Sequence, residues 1–386
     1  MDPNLPVPDA ASQSTILTTR IQAGIRQDGW ISFARFMSAA LYTPGLGYYS
    51  GGARKFGEEG DFVTAPEISP LFGQALARQV AQIMAASAYE VLEVGAGTGQ
   101  LACDLLLALE ALDALPERYG ILELSGELRP RQRALLEARA PHLASRVYWL
   151  DALPDGFSGC VVANEVLDVM PVQRVVWRAD GIFERGVALQ ADDRMVWQDR
   201  PATGRLLAAA TALRIPLPEE GEYISEICLA ARAWVAEWGR RLTRGALILI
   251  DYGYPQSEYY LPSRSSGTLQ CYYRHRAHDD LLAWPGLNDL TAFVDFTAVA
   301  EAAHAAELQV AGYANQASFL TDCGILDCLA AIGSPEQPAY LRAARAALRL
   351  LGPHEMGELF KVLVLSRGLE DLSWVGLRSG NRIHAL

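Results

Sequence analysis

The sequence predicts an α/β chain built on a mostly parallel sheet with helices on both faces. Three observations carry this expectation. Short apolar runs alternate with amphipathic stretches between residues 89 and 163, a glycine-rich loop follows the first of those runs, and largely apolar runs return at 246–251 and 359–365. Alternation of this kind is the signature of βαβ units, whose crossover helices bury both faces of the sheet.

In chain order, residues 1–85 hold a polar, proline-containing lead-in, a helical pattern over 16–26, and an aromatic and glycine-rich stretch from Leu41 to Tyr49 with Gly51, Gly52, Gly57 and Gly60 behind it. A second amphipathic helix is predicted over 69–84. Strands are then predicted at 90–94, 119–124, 147–150 and 160–163, with helices at 99–112 and 128–139. Between 171 and 200 the period becomes two (Val172, Arg174, Val176; Ile182, Glu184, Gly186), which reads as antiparallel hairpins. A long helix is expected over 223–242, with Ile227, Ala231, Trp234 and Trp238 on its apolar face, before the strand at 246–251. A polar, tyrosine-rich segment runs to 287. Helix 296–306, strand 308–313, helices to about 351 and the run 359–365 follow, and the last twenty residues read as a loose tail. The domain expectation is an N-terminal extension covering the site (1–85), a main domain (86–366) with insertions at about 171–242 and 253–295, and a tail (367–386).

Composition narrows the function. Of 386 residues, 51% are hydrophobic and 20% charged, within the globular range. The net charge of −12 is opposite to the basic footprint of a nucleic-acid binder. No apolar run approaches the ~20 residues of a membrane span. Asp2 and Asp9 precede the first basic residue, Arg20, without a signal-like apolar run, so a cytoplasmic, bacterial-type chain is expected; a mitochondrial matrix location would require a removed presequence. The six cysteines and six histidines are scattered without zinc-like spacing, so no metal is expected; only His275 and His278 fall in a probable site loop.

The strongest local signal is Glu93-Val-Gly95-Ala-Gly97-Thr98-Gly99, placed after a strand and before a helix. About 0.03 matches to an acid followed by glycines at this spacing are expected by chance at this composition. Such a turn lies at the carboxyl edge of a parallel sheet, where ligands bind and glycines permit close backbone approach. Dinucleotide sites use G-x-G-x-x-G, and here the third glycine comes one residue early. An acid two residues before the first glycine would repel a pyrophosphate, yet it suits the ammonium and sulfonium of S-adenosyl-L-methionine. Glu123, after the second strand, is placed to accept from both ribose hydroxyls, with Ser125 beside it. Asp151, after the third strand, is either an adenine-amino ligand or a helix-capping or loop acid. Asn164-Glu165-Val-Leu-Asp168 follows the fourth strand, where such sheets present the transferred methyl; alternatively Glu165 and Asp168 share a solvated turn.

Together these stretches resemble the MidA-like family of class I S-adenosylmethionine-dependent methyltransferases, whose mitochondrial members are complex I assembly factors acting as protein arginine methyltransferases. The resemblance spans nearly the whole chain. It is carried by Leu46-Gly-Tyr-Tyr49, Gly60 to Ser69 with Phe72-Gly73, Glu93 to Gly99, Asn164 to Asp168 with Pro171, Ile250-Asp-Tyr-Gly-Tyr254, Gly267-Thr-Leu269 and Met356 to Lys361. It implies a Rossmann-like class I fold, S-adenosyl-L-methionine as cofactor with S-adenosyl-L-homocysteine as product, and a protein substrate; a homodimer is a further expectation. It also implies that the segment of Thr64, Pro66 and Glu67 folds over the donor, that Glu123, Asn164 and Glu165 line its site, and that Asp251 and Tyr252 close the far side. One departure is visible: Asp289-Leu-Thr-Ala-Phe293 places Phe293 where the family has histidine.

Methyl transfer from a sulfonium is an in-line displacement that needs alignment and exclusion of water. If the acceptor is arginine, its pKa of ~13.8 makes a free neutral guanidine cost roughly 9 kcal/mol at pH 7. Carboxylates that orient the cation and take its proton are therefore required. The candidates are Glu165, Asp168 and Glu67, with Asn164 beside them and Glu226 a weaker one on the expected 223–242 helix. A small-molecule acceptor and a non-catalytic assembly role are the alternatives.

Overall fold

A computed structural model describes residues 8–51, 63–218, 220–274 and 276–386. Gly52, Gly57, the Gly60-Asp-Phe62 part of the family stretch and His275 lie outside the described residues. The central sheet contains β1 (Glu90–Val94), β2 (Arg118–Leu122), β3 (Val147–Leu150), β4 (Phe157–Asn164), β5 (Leu242–Tyr254), β6 (Gln309–Asn315) and β7 (Phe360–Arg367). Their spatial order is β6-β7-β5-β4-β1-β2-β3, and a short strand, Val294–Asp295, adds to β5. β1 to β5 run parallel, whereas β7 is antiparallel to both β5 and β6.

Strict alternation explains why these strands read as continuous apolar runs. In β5, Ala246, Ile248 and Ile250 face one core while Leu247 and Leu249 face the other; Val362 and Val364 alternate in the same way with Leu363 and Leu365 in β7. Both faces are covered, so nearly every position is apolar. Helices α4 (Pro70–Ala86) and α5 (Gln100–Ala111) cover the first face; helices Leu229–Arg241 and Phe296–Ala305 cover the second. Helix α6 (Leu128–Arg139) links β2 to β3.

The register aligns the carboxyl ends of the strands. Val94 pairs with Leu122 on one side and Ala163 on the other, Leu122 pairs with Leu150, and Asn164 pairs with Ile250. Residues just beyond these positions therefore emerge along one edge. Two smaller antiparallel sheets stand nearby. The predicted hairpins form Gln173–Arg178, Gly181–Leu189 and Met195–Pro201, joined by Ile31–Ser32 and Tyr223–Ile227. A three-stranded sheet comprises Gln270–Tyr273, Arg276–Ala277 and Asp289–Thr291. The N-terminal helices α1 (Pro8–Asp28) and α2 (Phe33–Tyr42) share an apolar cluster with residues from both of these sheets.

Two expectations are corrected. Residues 223–227 are a strand, not the first turns of a helix, which starts only at Leu229 with the Cys228 sulfur accepting from the Ala231 amide. Ile227 falls in helical phase with Ala231, Trp234 and Trp238, which hid the boundary, while pairing with Gln173–Arg178 fixes the strand. The C-terminal segment is docked and not loose. Leu369 and Leu377 are buried in the main core, and the amides of Val375 and Gly376 donate to Gln82 Oε1 and Gln79 Oε1 at 3.0 and 2.9 Å.

Candidate active site

A cleft of about 1070 Å³ runs along the carboxyl edge of β1, β2 and β4. It is larger than the ~300–1,000 Å³ typical of a single-ligand site, leaving room for a donor and an acceptor group together. Among the described residues, seven carboxylate side chains line it (Glu67, Glu93, Glu123, Glu127, Glu165, Asp168 and Asp289) and no lysine, arginine or histidine does.

The donor-side wall grows from one strand–turn–helix. Gly95, Gly97 and Gly99 all have positive φ, at +68°, +53° and +88°. A Cβ at Gly95 would sit 3.2 Å from Val166 Cγ2, so the turn lies against the Asn164–Asp168 loop. Glu93 is buried behind the turn and accepts from the Tyr119 hydroxyl at 2.6 Å. Burial pushes its carboxyl up to about 7. Glu123 is also buried; its Oε1 accepts from the Ser125 amide at 2.9 Å, its Oε2 from Gln132 Nε2 at 3.0 Å, and burial raises its pKa. Leu124, 77% exposed, stands at the mouth. The short helix α3 (Ala65–Ile68) roofs this wall: Thr64, Pro66 and Glu67 line the cleft, and the Thr98 hydroxyl donates to Glu67 Oε1.

The reacting wall centres on the loop after β4. Glu165 has φ +54°, a conformation rarely adopted by a residue with a side chain. Its amide donates to the Ile250 carbonyl at 2.9 Å, and its Oε1 accepts from Asn164 Nδ2 at 3.1 Å. Burial, then the nearby Asp168, push the Glu165 carboxyl up to about 8. Asp168 is pushed up to about 6 by burial, and its Oδ2 accepts from the Tyr252 hydroxyl at 2.8 Å. Asn164 Oδ1 and Asp168 Oδ1 are buried acceptors without a hydrogen-bond partner among the described residues. Such atoms call for a donor in the cleft. Phe293 packs edge-on against Tyr252 at 5.1 Å and stacks on Tyr254 at 5.6 Å, filling the position expected for histidine with an aromatic wedge.

The structure therefore brings Thr64, Pro66, Glu67, Glu93, Gly95, Gly97, Thr98, Glu123, Ser125, Asn164, Glu165, Asp168 and Tyr252 onto one cleft. Gly99 stands just behind it as the residue preceding α5. Three candidates lie elsewhere. Asp151 points to solvent with a 91% exposed side chain and pairs with Arg129 at 2.6 Å. Asp251 is buried beneath the reacting loop, where its Oδ2 accepts from the amides of Val166, Leu167 and Asp168 at 3.2, 2.9 and 3.2 Å. It braces the loop instead of lining the cleft. Glu226 sits on the strand Tyr223–Ile227, buried, accepting from the Thr268 amide and hydroxyl at 2.7 and 3.1 Å, outside the cleft wall.

Sequence reading missed Tyr42, Tyr49, Gln100, Trp234 and Tyr272, all of which line the cleft. The Leu41–Tyr49 aromatic run was a visible signal for the first two. The tyrosine-rich segment up to 287 was a signal for Tyr272; nothing local marked Gln100 or Trp234 as cleft residues.

A family model described as "Putative S-adenosyl-L-methionine-dependent methyltransferase" matches residues 75–314. The chain belongs to this methyltransferase family. It is an S-adenosyl-L-methionine-dependent methyltransferase with the Rossmann-like class I fold, and the acid-lined cleft with its glycine turn fits that cationic cofactor. A protein of Burkholderia thailandensis whose crystal structure has S-adenosyl-homocysteine bound is 49% identical, with a TM-score of 0.94 over 99% of each chain. The mouse protein arginine methyltransferase NDUFAF7, mitochondrial, is 30% identical over 93% of this methyltransferase and 86% of the relative. Its Drosophila melanogaster homologue is 28% identical over 96% and 90%.

Proposed function

We propose that this methyltransferase modifies an arginine side chain of a protein. The observation that carries the reading is the cleft lined by seven carboxylates and, among the described residues, by no basic side chain. A cationic donor and a cationic acceptor are both favoured there, whereas a phosphate or carboxylate acceptor is repelled. The names of the curated relatives support arginine.

When bound, S-adenosyl-L-methionine supplies an electrophilic methyl group. The residues proposed to hold it are Glu93, Gly95, Gly97, Thr98, Gly99, Glu123 and Ser125, with Asn164, Thr64 and Pro66 closing the site. Glu165 and Asp168 orient the guanidinium, and one of them takes its proton. Their raised pKa values suit that role, because a carboxylate already poised near neutrality accepts a proton more readily than an ordinary one. Tyr252 fixes Asp168 through its hydroxyl, and Asp251 fixes the loop that carries both acids. Glu67 ties the roof to Thr98.

By family resemblance, the proposed acceptor protein is a subunit of a respiratory complex, and the chain a contributor to complex I assembly. A bacterial-type cytoplasmic location and a homodimer are further proposals that the family resemblance does not carry, the curated relatives being mitochondrial by name. The division into a covering extension, a main domain and a C-terminal segment is likewise proposed.

Transfer of labelled methyl to matched peptides holding arginine or lysine tests the reading. Label on the arginine peptide supports it. Label on lysine, or only on small molecules of a protein-depleted lysate, replaces it.

A further inference from the structure

Gln132 is fully buried on α6 and is not part of the cleft wall. Its amide nevertheless touches the two donor-side elements at once. Nε2 donates to the Gly97 carbonyl at 2.9 Å and to Glu123 Oε2 at 3.0 Å, while Oε1 accepts from the Trp149 indole N–H at 2.8 Å. An indole can only donate, so it dictates which end of the amide faces the turn. A flipped amide would set its oxygen against a carbonyl and a carboxylate. The α6 backbone is equally close: a Cβ at Gly99 would lie 3.2 Å from Gln132 Cα.

Glu123 is thereby gripped through both oxygens, Oε1 by the Ser125 amide and Oε2 by Gln132. Each oxygen keeps a further lone pair for a hydroxyl in the cleft. Without the glutamine, this carboxylate would lose a charge-assisted bond and its fixed rotamer, and the Gly97 carbonyl would lose its side-chain partner.

We propose that Gln132 is a positioning residue for the methyl donor, registering the glycine turn against the carboxylate that receives the ribose diol. This rests on the donor-site reading given above. Glutamate cannot replace it, because its oxygens would face two acceptors; asparagine is one methylene short.

The test is calorimetric titration of the wild type and Q132M with S-adenosyl-homocysteine and with its 2′,3′-dideoxy analogue, together with methyl transfer over a range of donor concentrations up to saturation. Q132M is expected to weaken S-adenosyl-homocysteine roughly tenfold to hundredfold, as loss of a hydrogen bond to a charged group does. Donor KM should rise in step while kcat stays within about twofold, since the reacting wall is untouched. On the dideoxy analogue the loss should shrink below about threefold, because the bond acts through the diol. W149F, which removes only the Oε1 partner, should show the same pattern more weakly and stands in if Q132M does not fold. Unchanged affinity in Q132M, or equal losses on both ligands as general loosening would give, overturns the proposal. A wild type that binds neither ligand overturns the donor-site reading instead.

Discussion

The two walls of the cleft are built in opposite ways. The donor wall comes mainly from one contiguous stretch, residues 93–128, in which a strand, a glycine turn, a helix and a second strand succeed one another. The opposite wall is assembled from the turn at 42–50, the loop at 164–171, Trp234, Tyr252 and the three-stranded sheet carrying Gln270, Tyr272, Asp289 and Thr291. The first wall uses backbone conformation, with three glycines at positive φ; the second uses buried side chains, with Glu165 and Asp168 held by Asn164, Tyr252 and Asp251. A local wall can bind the common donor without specifying the chemistry beyond it. On the function proposed above, the dispersed wall is the one that would decide acceptor and rate, which suits function grafted onto a shared fold.

Substitutions should separate the walls. The largest expected effect is Glu165→Gln, which should cut kcat by about 10²–10⁴-fold, as loss of a proton-accepting group does, while leaving S-adenosyl-homocysteine affinity within about twofold. Wild-type turnover in this variant would remove Glu165 from the chemistry. Gly97→Asp should act on the other wall. A side chain in the donor path should lower S-adenosyl-homocysteine affinity by more than about 100-fold, and calorimetry showing wild-type binding would refute the site.

The acidity of the reacting wall gives a third comparison. Glu165 rises from the ordinary 4.5 to about 8 on folding. The folded state therefore holds a proton that the unfolded chain releases. The stabilising contribution is full below about pH 4.5 and is lost as pH climbs toward 8. The ligand-free unfolding temperature should fall over that interval, and Glu165→Gln should flatten the slope; an identical slope in the variant would mean the carboxyl is not raised. Transfer should accelerate over the same interval, because the ionised acid is the one that takes a proton. Asp251→Ala strips a carboxylate from three loop amides and should cost about 3 kcal/mol of stability, with a fall in kcat and little change in donor affinity. A chemical-denaturation curve matching the wild type would contradict the bracing role. Glu226→Gln, outside both walls, should change kcat by less than about twofold and stability by about 1 kcal/mol. A large kinetic defect would return Glu226 to the site.

What was readable in advance follows the same division. The glycine turn, Glu123 and the acids after β4 were legible because each depends on a strand end and the few residues beyond it. Glu226 was misplaced because Ile227 shares the phase of the following helix, and only pairing with Gln173–Arg178 makes its segment a strand. The C-terminal segment looked loose because its polar composition does not reveal Gln79 and Gln82 waiting on α4. Asp251 was expected to close the far side of the cleft; its place beneath the loop, with three amide partners, is visible only once β5 lies beside β4.

By itself, the sequence pointed to a parallel sheet, through apolar runs that must be buried on both faces, and favoured a cationic donor over a pyrophosphate, through an acid and glycines at their spacing. Only the tertiary structure decided which carboxylates face one another, which are braces and which aromatics line the cleft. Periodicity and turn chemistry act over a few residues, whereas the raised pKa of Glu165 comes from burial and from Asp168, which the folded loop brings near, and that of Asp168 comes from burial.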